Sequence, residues 1–184
     1  MTDGGASHCF PAMRLHSLAR AFTALSILAA PLRAQTTTVI VVRHAEKNAE
    51  PAADPALTPA GAVRADALVE LVKDAGVQAV MSTQYQRTRM TAAPTAARLG
   101  LTTEIINAGP AKVLVDSLMA RHKGQTVLVV GHSNTVPDIV AALGAAKPAA
   151  LCDDAYDNAF VVTVLASGTA SVTRLHYGAK AGCP

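Results

Sequence analysis

The chain has 184 residues, of which 51% are hydrophobic and 16% charged, enough apolar material for one domain with its own core and too little charge for a disordered chain. Aromatic residues make up 3% and Trp is absent, so that core has to be built from Ala, Val, Leu and Ile. The net charge of +3 is uneven: residues 1–34 hold Arg14, Arg20 and Arg33 against Asp3, which leaves +1 for residues 35–184 and no basic run to bind nucleic acid. No apolar stretch reaches the roughly 18 residues that a membrane span needs.

The N-terminus reads as a secretory signal. Arg14, His16 and Arg20 form a positive region, Ala21 to Leu32 a short apolar one, and Leu32-Arg33-Ala34 a small-residue cleavage site. Cleavage after Ala34 makes Gln35 the first mature residue, and Met13 is a better start than Met1. A secreted or periplasmic location follows, with residues 35–184 as the mature domain. No cysteine stands at a lipoprotein-like position, so no membrane anchor is expected to survive cleavage. Cys152 and Cys183 remain as an even pair in an oxidising compartment, candidates for a disulfide that ties the tail back.

The mature chain then alternates. Val39-Ile40-Val41-Val42 is a β-branched run that reads as a buried, parallel strand. Residues 48–56 form a Pro/Ala/Asp loop. Thr58 and Pro59 open a helix as N-cap and first helical residue, with Val63, Ala67, Leu68, Leu71 and Val72 as its buried face and Gly76 as its end. Val77 to Met81 is a second strand, and Arg87 to Leu99 a helix stopped by Gly100, with Pro94 inside it as a source of a kink. Thr102 to Ile106 is a third strand. Lys112 to His122 is a helix with Val113, Leu114, Leu118 and Met119 turned inward, and His122 at its exposed end. Thr126 to Val130 is a fourth strand and Val136 to Leu143 a short helix. A polar loop over 147–157 leads to two strands, Phe160–Leu165 and Val172–Leu175, joined at Ser167-Gly168-Thr169 as a hairpin. Strands alternating with helices predict a three-layer α/β/α sandwich on a mostly parallel sheet, finished by that C-terminal β-hairpin.

Three strand ends carry polar groups: Arg43-His44, Ser82 with Arg87 beyond it, and His132-Ser133-Asn134. Parallel strands bring such ends to one edge of the sheet, where open α/β folds bind ligands. Two arginines and two histidines there suit a phosphoryl group. Guanidinium forks match phosphate oxygens, a neutral imidazole attacks phosphorus in line, and a second imidazolium binds the equatorial oxygens.

At these residues the chain resembles the histidine phosphatase superfamily, with its phosphoglycerate-mutase-like fold. Arg43-His44-Ala45-Glu46 is similar to its first histidine signature and Leu57-Thr58-Pro59-Ala60-Gly61 to the element after it. Ser82-x4-Arg87-x3-Thr91-Ala92 resembles its arginine motif, and Gly131-His132-Ser133-Asn134 its second histidine motif. The resemblance covers residues 36–178. It implies His44 as the nucleophile that becomes phosphohistidine, with Arg43, Arg87 and His132 around the phosphoryl group and no cofactor or metal. Arg89, two residues further along the helix, reads as a surface residue. Three positions have weaker claims to the substrate: Lys47 at the mouth of the pocket, Asn134 as donor or as helix cap, and Ser82 as backbone partner or strand terminator. Glu46 either lines the mouth or forms a solvated pair with Lys47. The Asp153, Asp154, Tyr156 and Asp157 cluster reads as a solvated loop, and His176 as structural.

The acid that protonates a leaving group stays unassigned. Many relatives place a glutamate between the second arginine and the second histidine. Here that interval holds only Glu104, read into a strand, and Asp116, read onto a helix; Asp138 beyond it reads as stabilising a helix dipole. The resulting expectation is an exported, metal-independent phosphatase acting on a small phosphorylated substrate. The alternatives are a catalytically silent phosphate-binding protein on the same fold, or a mutase-type phosphotransferase. The short Arg87-to-His132 interval, 132 − 87 = 45 positions, speaks against the mutase.

Overall fold

The β-branched run at 39–42 lies inside strand β1 (Thr37–Arg43), whose residues from Val39 to Arg43 are all buried. In the computed structural model, residues 36–182 are described, together with Met1, Thr2 and Gly4. The predicted signal segment, its Ala34 cleavage site and Met13 lie outside the described residues, as does Cys183. The chain divides into two compact units, Met1–Leu32 and Arg33–Pro184, and the second holds all the elements below.

After β1 come α1 (Pro59–Val72), β2 (Val77–Ser82), α2 (Gln86–Leu99), β3 (Thr103–Ile105), α3 (Ala111–His122), β4 (Thr126–Gly131), α4 (Val136–Ala142), β5 (Asn158–Val164) and β6 (Ala170–His176). They form one sheet in the order β3-β2-β4-β1-β5-β6. The first four strands in that order run parallel, while β5 pairs antiparallel with β1 and β6 antiparallel with β5. This is the expected sandwich with its C-terminal hairpin.

Side-chain alternation along β1 separates the two faces. Val39 and Val41 join Leu114 and Leu118 of α3 and Ile139 and Val140 of α4. Ile40 and Val42 join Leu68 and Val72 of α1 and Ala92 and Ala96 of α2. In β2, Val77 and Val80 share a face although they are three apart, because the register to β4 shifts between Val77 and Ala79.

Two helix faces are turned from their predicted settings. Val63 is 69% exposed and Val113 57% exposed, so neither belongs to the core. Arg64 takes the inward position on α1, in line with Leu68 and Val72 at helical spacing. In α3 the buried residues are Leu114, Val115 and Leu118. Apolar periodicity cannot register a buried arginine, and this one sets the rotation of α1. Among the described residues no helix is long and apolar enough to cross a membrane.

Candidate active site

Strands β1 and β4 end side by side, with Arg43 opposite Gly131 in the register. The His44 N–H continues the ladder by donating to the Gly131 carbonyl at 2.9 Å. The first residues past each strand, His44 and His132, therefore face one another with ring centroids 5.5 Å apart. Strand β2 pairs on the other side of β4 and delivers Thr83, Tyr85 and the first turn of α2, which carries Arg87. The result is a cavity of about 490 Å³ lined by Arg43, His44, Lys47, Tyr85, Arg87, His132, Asn134 and Asp153, among others. Topology alone brings together the four predicted central residues, which come from three separate strand ends.

His44 is 3% exposed. Its Nδ1 lies 2.8 Å from the Ala45 carbonyl oxygen, which only accepts, so Nδ1 carries the proton and Nε2 is left with the lone pair. Burial pushes its pKa down to about 3, and the charges of Arg43, His132 and Arg87 act in the same direction against the Ala45 bond. The imidazole is therefore neutral and nucleophilic at neutral pH. His132 is pushed down to about 4 by burial, then by Arg87 and Arg43. The sequence predicts an imidazolium there. His132 is a neutral ring at neutral pH instead, because burial opposes its charge and the two guanidiniums already supply positive charge nearby. Its Nε2 lies 3.1 Å from the Thr83 hydroxyl.

Both arginines rest on tyrosines. The Arg43 guanidinium is 4.0 Å from the Tyr156 ring centre and that of Arg87 4.3 Å from the Tyr85 ring centre. Arg43 Nη1 donates to the main-chain carbonyls of Cys152 at 3.1 Å and Asp153 at 2.7 Å. Arg87 Nη1 lies 3.9 Å from Asp54, whose carboxylate also accepts the Gln86 N–H at 2.7 Å. The Nε groups of Arg43 and Arg87 are buried without a hydrogen-bond partner among the described residues. Both residues line the cavity, where their guanidiniums place positive charge beside His44, as a phosphate would require.

The motif residues between these groups prove to be joints. Thr91 Oγ1 accepts the Ala45 N–H at 2.9 Å and donates to the Arg87 carbonyl at 2.7 Å, which fastens α2 to the nucleophile loop. The Glu46 carbonyl accepts the Thr58 N–H at 2.9 Å, and a Cβ on Gly61 would collide with that same carbonyl. Only glycine lets α1 approach this closely.

The weaker candidates divide. Lys47 and Asn134 line the cavity. Helix α4 starts from Thr135, so Asn134 is not its cap. Ser82 is fully buried and donates to the Thr83 carbonyl at 2.9 Å; it is a backbone partner, not a substrate contact. Glu46 turns away from the cavity mouth to Arg64, at 2.7 Å. Arg89 is exposed, as expected. Cys152 is disulfide-bonded, and Cys183, its predicted partner, is not among the described residues. The 153–157 loop is less solvated than predicted: Asp157 is buried and accepts from or pairs with His176 Nδ1 at 3.0 Å, while Tyr156 covers Arg43. His122 is half-buried against Glu104 and Gln125 instead of projecting into solvent.

A family model described as the histidine phosphatase superfamily (branch 1) matches residues 39–108, the span that carries Arg43, His44 and Arg87. Over that span the chain resembles the histidine phosphatase superfamily. Among solved structures, it is similar to the protein histidine phosphatase SixA complexed with tungstate, at 19% identity and a TM-score of 0.62, over 76% of this chain and 96% of that one. It is also similar to a mycobacterial glucosyl-3-phosphoglycerate phosphatase, at 15% identity and a TM-score of 0.61, over 79% of this chain and 100% of the other. A mutant phosphoserine phosphatase from Entamoeba histolytica in complex with phosphoserine gives 14% identity and a TM-score of 0.60, over 74% of this chain and 95% of the other. At these identities the likeness is one of fold. No curated protein matches this chain in sequence.

Proposed function

We propose that the chain is a phosphatase that hydrolyses a small phosphomonoester or phosphohistidine through a phosphohistidine intermediate on His44. The observation that carries this reading is His44 itself: a buried, neutral imidazole with Nδ1 committed to Ala45, sharing one cavity with the guanidiniums of Arg43 and Arg87. A phosphoryl group seated on Arg43 and Arg87 meets Nε2 in line. Phosphoryl transfer needs mainly positioning, to which His132 contributes, and charge stabilisation, which the guanidiniums and Lys47 supply. Water then hydrolyses the N–P bond and releases phosphate. The fold neighbours named as phosphatases, one holding tungstate and one phosphoserine, support the choice.

The test is to incubate the purified protein with p-nitrophenyl phosphate and look for turnover and for acid-labile phosphate on His44. Both are expected, both are lost in His44→Ala, and a chelator leaves them unchanged. No turnover and no label across several monoesters, from acid to neutral pH, would overturn the reading in favour of a silent phosphate-binding protein. The reading includes export, on the strength of the residue 14–34 pattern. N-terminal sequencing of the periplasmic protein should begin at Gln35; a cytoplasmic protein retaining Met1 or Met13 would refute that part.

A further inference from the structure

The carboxylates that the sequence offers near the second histidine motif, none of them assigned as the acid, are all engaged elsewhere. Glu104 is paired with Arg121 at 2.7 Å and His122 at 2.9 Å. Asp116 is paired with Lys112 on the outer surface of α3, and Asp138 with Lys147. Asp54 serves Arg87 and the Gln86 N–H. Among the described residues that line the cavity, Asp153 is the one carboxylic acid. Its charge acts on Arg43 more strongly than that of Asp154 beside it. Its backbone is held at two points: its own carbonyl accepts from Arg43 at 2.7 Å, and the preceding residue, Cys152, is disulfide-bonded. Neither tie uses the carboxyl group, which has no ion-pair or hydrogen-bond partner among the described residues, and the residue lines the cavity.

Resting on the phosphatase reading, we propose that Asp153 is the proton donor to the leaving group, supplied from the loop after the second histidine instead of from the segment before it. In the first step the N–P bond to His44 Nε2 forms and the bond from phosphorus to the leaving oxygen breaks. That oxygen keeps the electron pair and takes the proton of the Asp153 carboxylic acid. In the second step a water oxygen bonds to phosphorus, the N–P electron pair returns to His44, and the Asp153 carboxylate takes the proton that water gives up. The same loop thereby clamps Arg43 through its main chain and works on the leaving group through a side chain.

The test compares kcat/KM for an alkyl phosphate and for 2,4-dinitrophenyl phosphate, whose leaving group needs no proton. Asp153→Asn should lower the alkyl value by about 100-fold or more and the dinitrophenyl value by less than about 3-fold, the size expected for one general acid. Asp154→Asn should show no such split. Since Arg43 is bound by a main-chain oxygen, the substitution leaves the clamp intact and Tm should not move. An equal loss on both substrates, or no loss on either, overturns the assignment while the phosphatase reading stands. Absence of wild-type turnover and of His44 labelling overturns both.

Discussion

Arg43 and Arg64 are each 4% exposed and each lies over a tyrosine, yet one completes a structural clasp and the other is left open. Arg64 gives Nε and Nη2 to both oxygens of Glu46 at 2.7–3.0 Å and Nη1 to the Tyr177 carbonyl at 3.0 Å. Burial works against its charge, but the Glu46 hydrogen bonds and charge, with Tyr177 and Asp157, together outweigh that and hold its pKa above the ordinary value. Arg43 has two carbonyls on one nitrogen and a buried Nε without a partner among the described residues. Burial pulls its pKa below the ordinary value, and Tyr156, Asp153 and Asp154 offset only part of this. Three residues apart, Arg43 and Glu46 belong to the site and to its scaffold respectively. What separates the two arginines is not burial but completed coordination: a saturated guanidinium holds the fold, and an unsaturated one waits for an anion.

The comparison breaks most visibly in function. Arg43→Met should lower kcat/KM for an aryl phosphate by about 1,000-fold, the scale of losing a preorganised charge donor, with Tm unchanged or raised because a poorly paired buried charge is gone. Arg64→Met should do the reverse. It leaves Glu46 half-buried and unpaired, at a cost of about 3 kcal/mol read by denaturant unfolding, with a smaller effect on kcat/KM.

Acid sharpens the contrast. The folded pKa of His44, about 3, lies below its ordinary 6.5, so the unfolded chain binds more protons between those values and stability falls as pH drops. Near pH 4 the loss from His44 is about 3 kcal/mol; His132, held at about 4, loses a similar amount, so His44→Gln should roughly halve the pH dependence of Tm over that window. Gly61→Ala should cost about 2 kcal/mol, because the new methyl meets the Glu46 carbonyl and one of the two must move. Smallest is the effect of added tungstate. It should raise Tm by an amount equivalent to about 1.4 kcal/mol at ten times its Kd, and Arg43→Met should abolish this shift while Arg64→Met keeps it.

Some of this was legible in the chain. The β-branched run before Arg43-His44 specified a buried strand ending in polar groups, and alternation of strands with helices specified the layers. Thr58 as cap, with Gly61 three residues on, is also a local signal, and the Thr58 hydroxyl accepts the Gly61 N–H at 3.0 Å. Arg64 and Tyr156 were not legible, because the Arg64–Tyr177 bond spans 113 residues and Tyr156 lies against Arg43, 156 − 43 = 113 residues earlier. Ser82 shows the converse: a strand-end hydroxyl in the right motif that is turned to the Thr83 carbonyl.

By itself, then, the sequence pointed to the four residues that meet in the cavity, the order of the elements and the family resemblance. All of these depend on local pattern, on periodicity and on motifs a few residues long. The tertiary structure alone decided the strand order that sets β4 between β1 and β2, and with it the facing of His44 and His132. It also decided which charged groups saturate one another. Glu104, Asp116 and Asp138 are consumed by neighbours, while Asp153 and the donors of Arg43 stay available. Hydrogen-bond completion depends on distances between segments remote in sequence, and no local signal reports it.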